Sequence, residues 1–337
     1  MKILNMYKNG NYNVMICDDG TKMRFNNQDS FNPAFPESID LKITNKCPYN
    51  CPYCHEASTP DGNRAELVVM NNGDPILSGD RLHDDILKNL TIKDCRLAHP
   101  FFDTLVPGTE LAIGGGAVTT HPQLEIFLKH LKNKKIIANM TVNERELDKN
   151  ADKIIDYMKN RLIHGLGVSY VSNIDHTRLH SFLQKCDAYK CNNVVIHLIA
   201  GVADEAVFNE LAYNNNKILI LGYKDFRKGS EFKSEKVTYN IDMLKNNLKH
   251  YIDTGAFETI SFDNLAINQL DVSSAMSSDT FKTMYMGDDG QFTMYIDLPN
   301  NKYAYSSIAP IDSDSRHDIT DNIIDMFNQV RNDASER

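Results

Sequence analysis

The sequence is short of basic charge, of long apolar runs and of cysteine. Lys and Arg total 36 against 45 Asp and Glu, for a net charge of −9 and a pI near 5.7. That balance argues against a chain whose main work is gripping nucleic acid through its phosphates. No window approaches the roughly 18 apolar residues of a membrane span, which excludes a helical membrane protein. The opening stretch MKILNMYKNGNYNV has neither a sustained apolar core nor a small-residue cleavage site, so a soluble, cytoplasmic chain without membrane contact is expected. Cysteines number seven, an odd count. Without an export signal, this favours reduced thiols and metal ligation over a disulfide framework. Repeats of fixed period and low-complexity tracts are also absent.

What is present describes a packed α/β chain. Hydrophobic residues make up 42% and charged residues 24%, a composition that supports a core rather than disorder. A length of 337 residues suits one α/β barrel with additions. NYNVMI and TKMRF, separated by Asp18-Asp19-Gly20, read as a hairpin. Beyond Pro33 and Pro36, strands and helices alternate. SIDLKIT (38–44), ELAIGGG (110–116), KKIIANMTV (134–142), RLIHGLGVSYVS, NNVVIHLIAG and KILILGY read as strands, with ETISF (258–262) a candidate seventh. Between them, Leu124, Phe127, Leu128 and Leu131 recur at helical spacing. Asn143 with Glu146 makes a capping-box start, Asp204 caps a helix bearing Val207 and Leu211, and Asn240 caps one bearing Leu244 and Leu248. Such βα units predict a parallel sheet, either open and doubly wound or curved into a partial barrel. In both, chemistry collects beyond the strands' C-terminal ends. After about residue 270 the pattern changes to a hairpin, QFTMYIDL with NKYAYSS, and a final helix near 320–331. This appendage is expected to cover the barrel.

Three of the seven cysteines fall within CPYNCPYC, residues 47–54, just after the first of these strands. Cys47, Cys51 and Cys54 would place three thiolates on one short loop that can wrap one face of an iron–sulfur cubane. Four-cysteine clusters are the usual case, so three leave one iron open to a substrate or cofactor ligand. Pro48 and Pro52 stiffen the loop, and Asn50 tolerates unusual backbone angles.

ITNKCPYNCPYCHEAS resembles the cluster loop of the radical S-adenosylmethionine (radical SAM) superfamily, including the aromatic residue before the third cysteine, Tyr53. IGGGAVTTHPQLEIFLKHL resembles that family's glycine motif after its second strand. With His121-Pro122 as the anchor, Gly115 and Gly116 match the paired glycines after Gly114, and Ala117 falls where the family commonly has glutamate. An alignment shifted by one makes Gly116 the replacement instead. The resemblance spans roughly residues 38–263 and implies a partial (β/α)6 TIM-type barrel (37–270) between a small N-terminal β-hairpin element (1–36) and a C-terminal hairpin-plus-helix appendage (271–337). It implies a [4Fe–4S] cluster on Cys47, Cys51 and Cys54, and SAM held by Tyr53, Gly114, Gly115, Gly116, Ala117, Thr141, Ser169, His197 and Ile199. It further implies reductive cleavage of SAM to methionine and a 5′-deoxyadenosyl radical that takes hydrogen from a substrate. The electron donor would be a flavodoxin or ferredoxin. A peptide or protein side chain is the expected substrate, and a nucleotide-derived small molecule is the alternative.

Other readings of the same residues stay open. Cys51-Pro52-Tyr53-Cys54 alone fits a dithiol–disulfide oxidoreductase, and three cysteines with Cys95 or His55 would fit a non-catalytic zinc site. Cys186 and Cys191 read as ordinary thiols near a helix, as do Cys17 and Cys95 in core or surface positions. His197, in an apolar strand, reads as a hydrogen-bonded interior residue unless alternation aims it into the barrel. His55 directly follows the cysteines and could tune a cluster. Tyr223, Lys224, Arg227 and Lys228 form either a solvated loop or a cationic rim, and Asp263 and Asn264 mark either a substrate contact or a helix cap. Residues 55–79 suggest a lid.

Overall fold

The strand order of the main sheet decides between the two parallel architectures. The computed structural model describes residues 2–28, 30–65, 69–71, 74–76, 96–171, 176–310 and 314–335. Three N-terminal strands, β1 (Ile3–Asn9), β2 (Tyr12–Cys17) and β3 (Lys22–Phe25), form an antiparallel sheet of their own. The main sheet contains β4 (Ser38–Thr44), β7 (Glu110–Gly115), β8 (Ile137–Asn143), β9 (Gly165–Ser169), β10 (Val194–Ile199), β11 (Lys217–Leu221), β12 (Thr259–Phe262), β13 (Thr293–Asp297), β14 (Lys302–Ala304) and β15 (His317–Asp318). Between β4 and β7, β5 (Val69–Asn71) and β6 (Asp74–Ile76) pair as a separate ribbon. The order across the main sheet is β12-β11-β10-β9-β8-β7-β4-β13-β14-β15.

From β4 to β12 that order never reverses, and every pairing along it is parallel. A doubly wound sheet needs a reversal, so that alternative is excluded. Because parallel crossovers are right-handed, a one-way order puts all the crossover helices on one face. That face is apolar: Ile39, Leu41, Ile113, Met140, Val142, Leu166, Val168, Ile196, Leu198, Ile218 and Ile220 share one core with Phe127, Leu131, Ile154, Phe182, Phe208, Leu244 and Leu248 of the helices. The opposite face alternates with it and is partly or fully accessible, carrying Asp40, Glu110, Gly114, Asn139, Thr141, Asn143, Ser169 and His197. The result is a mixed α/β fold around a large, mostly parallel sheet. Among the described residues the sheet does not close on itself, since β12 and β15 end the order.

Three sequence expectations are corrected. The N-terminal element is three strands rather than a hairpin. β1 escapes a pattern reading because its register shifts between Ile3 and Asn5, and Ile3 and Met6 face outward. The C-terminal hairpin does not lie over the sheet but extends it, β13 pairing parallel with β4 from Thr293–Ser38 to Asp297–Lys42. Asn240 caps nothing: the helix Glu235–Asp253 already begins after Ser234, and the buried Asn240 amide donates to Gly201 O at 3.1 Å.

The N-terminal sheet docks under the N-terminal ends of the main strands. Tyr12, Val14 and Ile16 pack on Ile137 at the start of β8 and on Phe292 just before β13. At the centre, the fully buried Glu37 accepts from Tyr12 Oη at 2.5 Å and Arg24 Nε at 2.7 Å, with Lys22 Nζ at 3.7 Å, while the Arg24 guanidinium lies 3.7 Å from the Phe292 ring centroid. Glu37→Ala would leave Arg24 without its carboxylate in a buried setting. It is expected to lower stability by about 3 kcal/mol, read as a fall in the urea midpoint, with β2 amides losing exchange protection first.

Candidate functional site

The cysteine loop begins where β4 ends and folds back on its own stem. Ala65 N donates to Ile43 O at 2.8 Å, Asn45 N to Asn63 O at 2.6 Å, Thr59 N to Asn45 O at 3.1 Å and Cys47 N to Thr59 O at 2.8 Å. Within it, Cys54 N bonds Cys51 O at 3.2 Å, making a tight turn between the last two cysteines. Asn50 and Ala57 sit in left-handed conformation, with φ of 48° and 50°. Asparagine is the side chain that bears this most readily. All three thiols are partly exposed and unbridged. Burial, with the neighbouring Cys51 and Cys54 adding, pushes the Cys47 thiol up. Among the described residues, no group of three or more His, Cys, Asp or Glu side chains is placed to hold a single metal ion.

The glycine end of β7 presses against this stem. A Cβ on Gly115 would run into Thr44 O, and one on Gly116 into Lys46 O. Gly116 N donates to Thr44 O at 2.7 Å, and Ala117 N to Lys46 O at 2.9 Å. Only glycine allows so close a backbone approach. Ala117 is fully buried. Gly114 differs: a Cβ there would meet nothing, so open space lies above it. The buried His121 ring reaches Ala65 O at 2.6 Å, fixing the far side of the loop's stem.

Across the accessible face, register brings the remaining candidates into rows. Asn143, Ser169, His197, Leu219 and Ser261 lie side by side on five strands, with Thr141, Gly167 and Val195 one step below. Ile199 lies two residues beyond His197, opposite Leu221. The His197 imidazole lies over Gly167, where any Cβ would collide with it. The alternate glycines of GLGVS are the sequence signal of that ring. Partly accessible by area, the ring is enclosed at longer range, as an interior residue would be, though its nitrogens make no hydrogen bond among the described residues; that enclosure brings its pKa down to about 4. Tyr53 turns toward the helix Lys228–Phe232, its ring edge-on to Phe232 at 5.8 Å.

The charged side of the face was not foreseen. Lys42, only 3% exposed, pairs with Glu56 and, at 3.0 Å, with Asp297 of β13. Tyr295 Oη donates to Glu56 Oε1 at 3.3 Å, and Asn300 Nδ2 to Asp297 Oδ2 at 2.8 Å. Burial opposes the charge on Glu56, but His55 and Lys42 outweigh it and hold the carboxyl well below its usual range. Asp40 is accessible by area yet enclosed by the walls at longer range. That enclosure raises its carboxyl to about 6, against Lys224 and with Asp289 and Asp263 adding. The signal for Asp40 and Lys42 was the alternation within SIDLKIT, where both fall on the face opposite Ile39, Leu41 and Ile43.

The cations after β11 are neither a solvated loop nor a free rim. Lys224 Nζ lies 3.3 Å from His55 Nε2 and donates to Ser307 Oγ at 2.8 Å, Arg227 Nη1 donates to His55 O at 3.1 Å, and Lys228 Nζ donates to Asn50 Oδ1 at 2.6 Å. Burial lowers His55 to about 4, with Lys224 adding. Four strands separate β4 from β11 in the sheet, so these contacts require strong curvature. Asp263 is a helix cap, accepting from Ala266 N at 2.7 Å, while Asn264 Nδ2 reaches Asp289 Oδ1 at 3.1 Å. Cys17, Cys186 and Cys191 are buried thiols, Cys186 raised to about 12 by burial and by Cys191. Cys95 and residues 66–68, 72–73 and 77–79 of the lid segment lie outside the described residues. A cavity of about 450 Å³ at the opposite end, lined by Lys159, Arg161, Lys190 and Cys191 among others, includes none of Cys47, Cys51 and Cys54. Its cations flank the C-termini of two helices, whose dipoles account for them.

No known sequence family and no curated protein matches the chain. Solved structures do match in fold. Streptococcus suis SuiB bound to precursor peptide SuiA aligns with a TM-score of 0.56 at 13% identity, over 91% of this chain and 68% of that one. SuiB bound to S-adenosylmethionine aligns at 0.53 and 12%, over 85% and 64%. A further SuiB structure aligns at 0.55 and 10%, over 98% and 87%.

His197 supplies a pH test. Its pKa is lowered in the fold, so between about 6.5 and about 4 the unfolded chain binds the extra proton and stability falls with falling pH. His197→Phe is expected to flatten that part of the profile in urea unfolding followed from pH 7 to 4. An unchanged slope would mean the ring titrates normally.

Proposed function

We propose that this chain is a radical SAM enzyme whose Cys47, Cys51 and Cys54 ligate three irons of a [4Fe–4S] cluster and whose substrate is a peptide or protein side chain. One observation carries the proposal. The three-thiol loop stands at the C-terminal end of the first strand of the one-way parallel run, braced by the glycines of the next strand, above an accessible polar face. The donor set fits: three partly exposed thiols share one folded loop, and the open space over Gly114 adjoins it. We read the curved sheet as a partial barrel, its gap spanned by the Asn264–Asp289 and Lys224–His55 contacts.

Held by Cys47, Cys51 and Cys54, a reduced cluster would supply the one electron that cleaves SAM to methionine and a 5′-deoxyadenosyl radical able to take hydrogen from a carbon centre. The chain's own residues do the rest. The backbone at Gly114, Gly115 and Gly116 receives the amino end of SAM. Ala117 contributes by fixing Lys46 rather than by a side-chain contact. Thr141, Ser169, His197 and Ile199 offer an uncharged wall to the nucleoside, since His197 stays neutral above about pH 5 given its lowered pKa. Tyr53 buttresses the loop through Phe232. The peptide reading is supported by the fold shared with SuiB, which has been captured with a precursor peptide. A flavodoxin or ferredoxin would provide the electron.

Anaerobic reconstitution with iron and sulfide is expected to give a [4Fe–4S]⁺ EPR signal that SAM perturbs, with 5′-deoxyadenosine formed. Cys47→Ala should abolish it. A dithiol oxidoreductase would survive that substitution, so retained thiol-exchange activity without a cluster would overturn the proposal. Separately, Gly116→Ala, whose methyl would strike Lys46 O, is expected to lower cluster content at least tenfold, measured as iron per chain.

A further inference from the structure

The cations after β11 all point the same way, and none is left to a ligand. Arg227 Nη1 bonds His55 O and lies 3.4 Å from Glu56 Oε2, Lys228 bonds the side chain of Asn50, and Lys224 lies against the His55 ring. Phe226 stacks edge-on to His55 at 5.9 Å, and Phe232 meets Tyr53. This one segment, about 170 residues downstream, therefore touches the loop between its first and second cysteines, at the residue before the third, and directly after the third. From the other flank, Arg145 Nη1 reaches Tyr49 O at 3.4 Å. Glu56 joins this segment to the sheet. Its carboxylate takes Lys42, Arg227, His55 and Tyr295, and Lys42 carries the link on to Asp297.

We propose that Tyr223–Phe232 is a clamp that holds the cysteine loop in one conformation before any metal arrives, with Glu56 as the positioning residue that locks clamp, loop and sheet together. The physical reason lies in the loop's own weakness. Between Cys47 and Ala57 its backbone bonds are few, and it carries two left-handed residues, so it would not keep one shape alone. Cations placed around it hold it by side-chain contacts that leave the sulfurs exposed. The chain Asp297–Lys42–Glu56–Arg227 alternates in sign, so the largely buried Asp297, Lys42 and Glu56 each meet an opposite charge. Preforming the loop lets three thiols meet a cluster together, as preorganisation does for any multidentate site.

The importance of the clamp rests on the cluster reading above, but its existence does not, and hydrogen exchange on the metal-free chain separates the two. In Arg227→Gln/Lys228→Gln, both substituted side chains lie near the surface, so the fold should persist. Amides in a peptide covering 47–58 are expected to exchange about tenfold faster than in the parent, while peptides from β8 and β10 stay unchanged. Glu56→Gln should accelerate the same peptide, and also amides near Asp297. On reconstitution, both variants should bind iron more slowly than the parent, with a broadened EPR spectrum. Unchanged exchange in 47–58, or an equal rise throughout the chain, would overturn the clamp. Faster loop exchange in the variants, together with a parent chain that takes up no cluster, would uphold it and overturn the cluster reading alone.

Discussion

A parallel sheet wound in one direction never receives helices on its second face, and most of this molecule answers that constraint. Strands buried on both sides can be apolar throughout. Here β4, β8, β9 and β10 alternate, because only one of their faces meets the helices. The bare face can hold water, polar groups or glycine, and it does hold Asp40, Lys42, Asn139, Thr141, Ser169 and His197, with Gly114, Gly165 and Gly167 making room among them. A bare face also needs walls. The N-terminal sheet closes the end where the strands begin, through Glu37 and Phe292. The segments after β11 and β12 crowd in at the other end, around the cysteine loop.

Lys42 shows how the walls are joined. An ammonium 3% exposed on the central strand β4 is tolerable only with opposite charge in contact. One counter-charge comes from the cysteine loop, Glu56, and the other from β13, Asp297. The C-terminal strand thus supplies half the neutralisation of a residue in the first parallel strand, and removing it would strand a buried charge as well as a sheet edge. This explains why the C-terminal segment is part of the sheet rather than a cover over it.

Much of this was legible, because the deciding signals were local. SIDLKIT predicted β4 to the residue, Leu124–Leu131 marked their helix, and Asn143 with Glu146 gave a true capping box, although it opens a 3-10 turn before the helix Leu147–Lys159. The placement of the cysteines and glycines at neighbouring strand ends could also be read, since both motifs directly follow apolar runs. What was missed depends on partners distant in sequence. The hairpin of β13 and β14 could be seen, but its docking beside β4 joins residues 255 apart and leaves no local pattern. Lys224, Arg227 and Lys228 looked like a loop of free cations because their acceptors lie on the cysteine loop. Asn240 resembled a cap because its side chain is polar at a helical spacing, whereas its acceptor is the carbonyl of Gly201 on another element.

The two halves of the accessible face differ in kind, and the difference follows from which strands have charged neighbours. Beside β4 and β13 the groups are ionic and mutually compensated. Over β8, β9 and β10 they are amides, hydroxyls and one imidazole, of which Asn139 reaches Glu110 Oε1 at 3.5 Å. Burial brings the pKa of that imidazole down to about 4, so above about pH 5 the ring carries no charge. Asp40 sits between the halves and loses its proton near pH 6. Above that point the accessible face holds a fixed pattern, charged on one side and neutral on the other. A ligand with one ionic end and one aromatic, hydrogen-bonding end would be oriented by that pattern alone, before any single contact is counted.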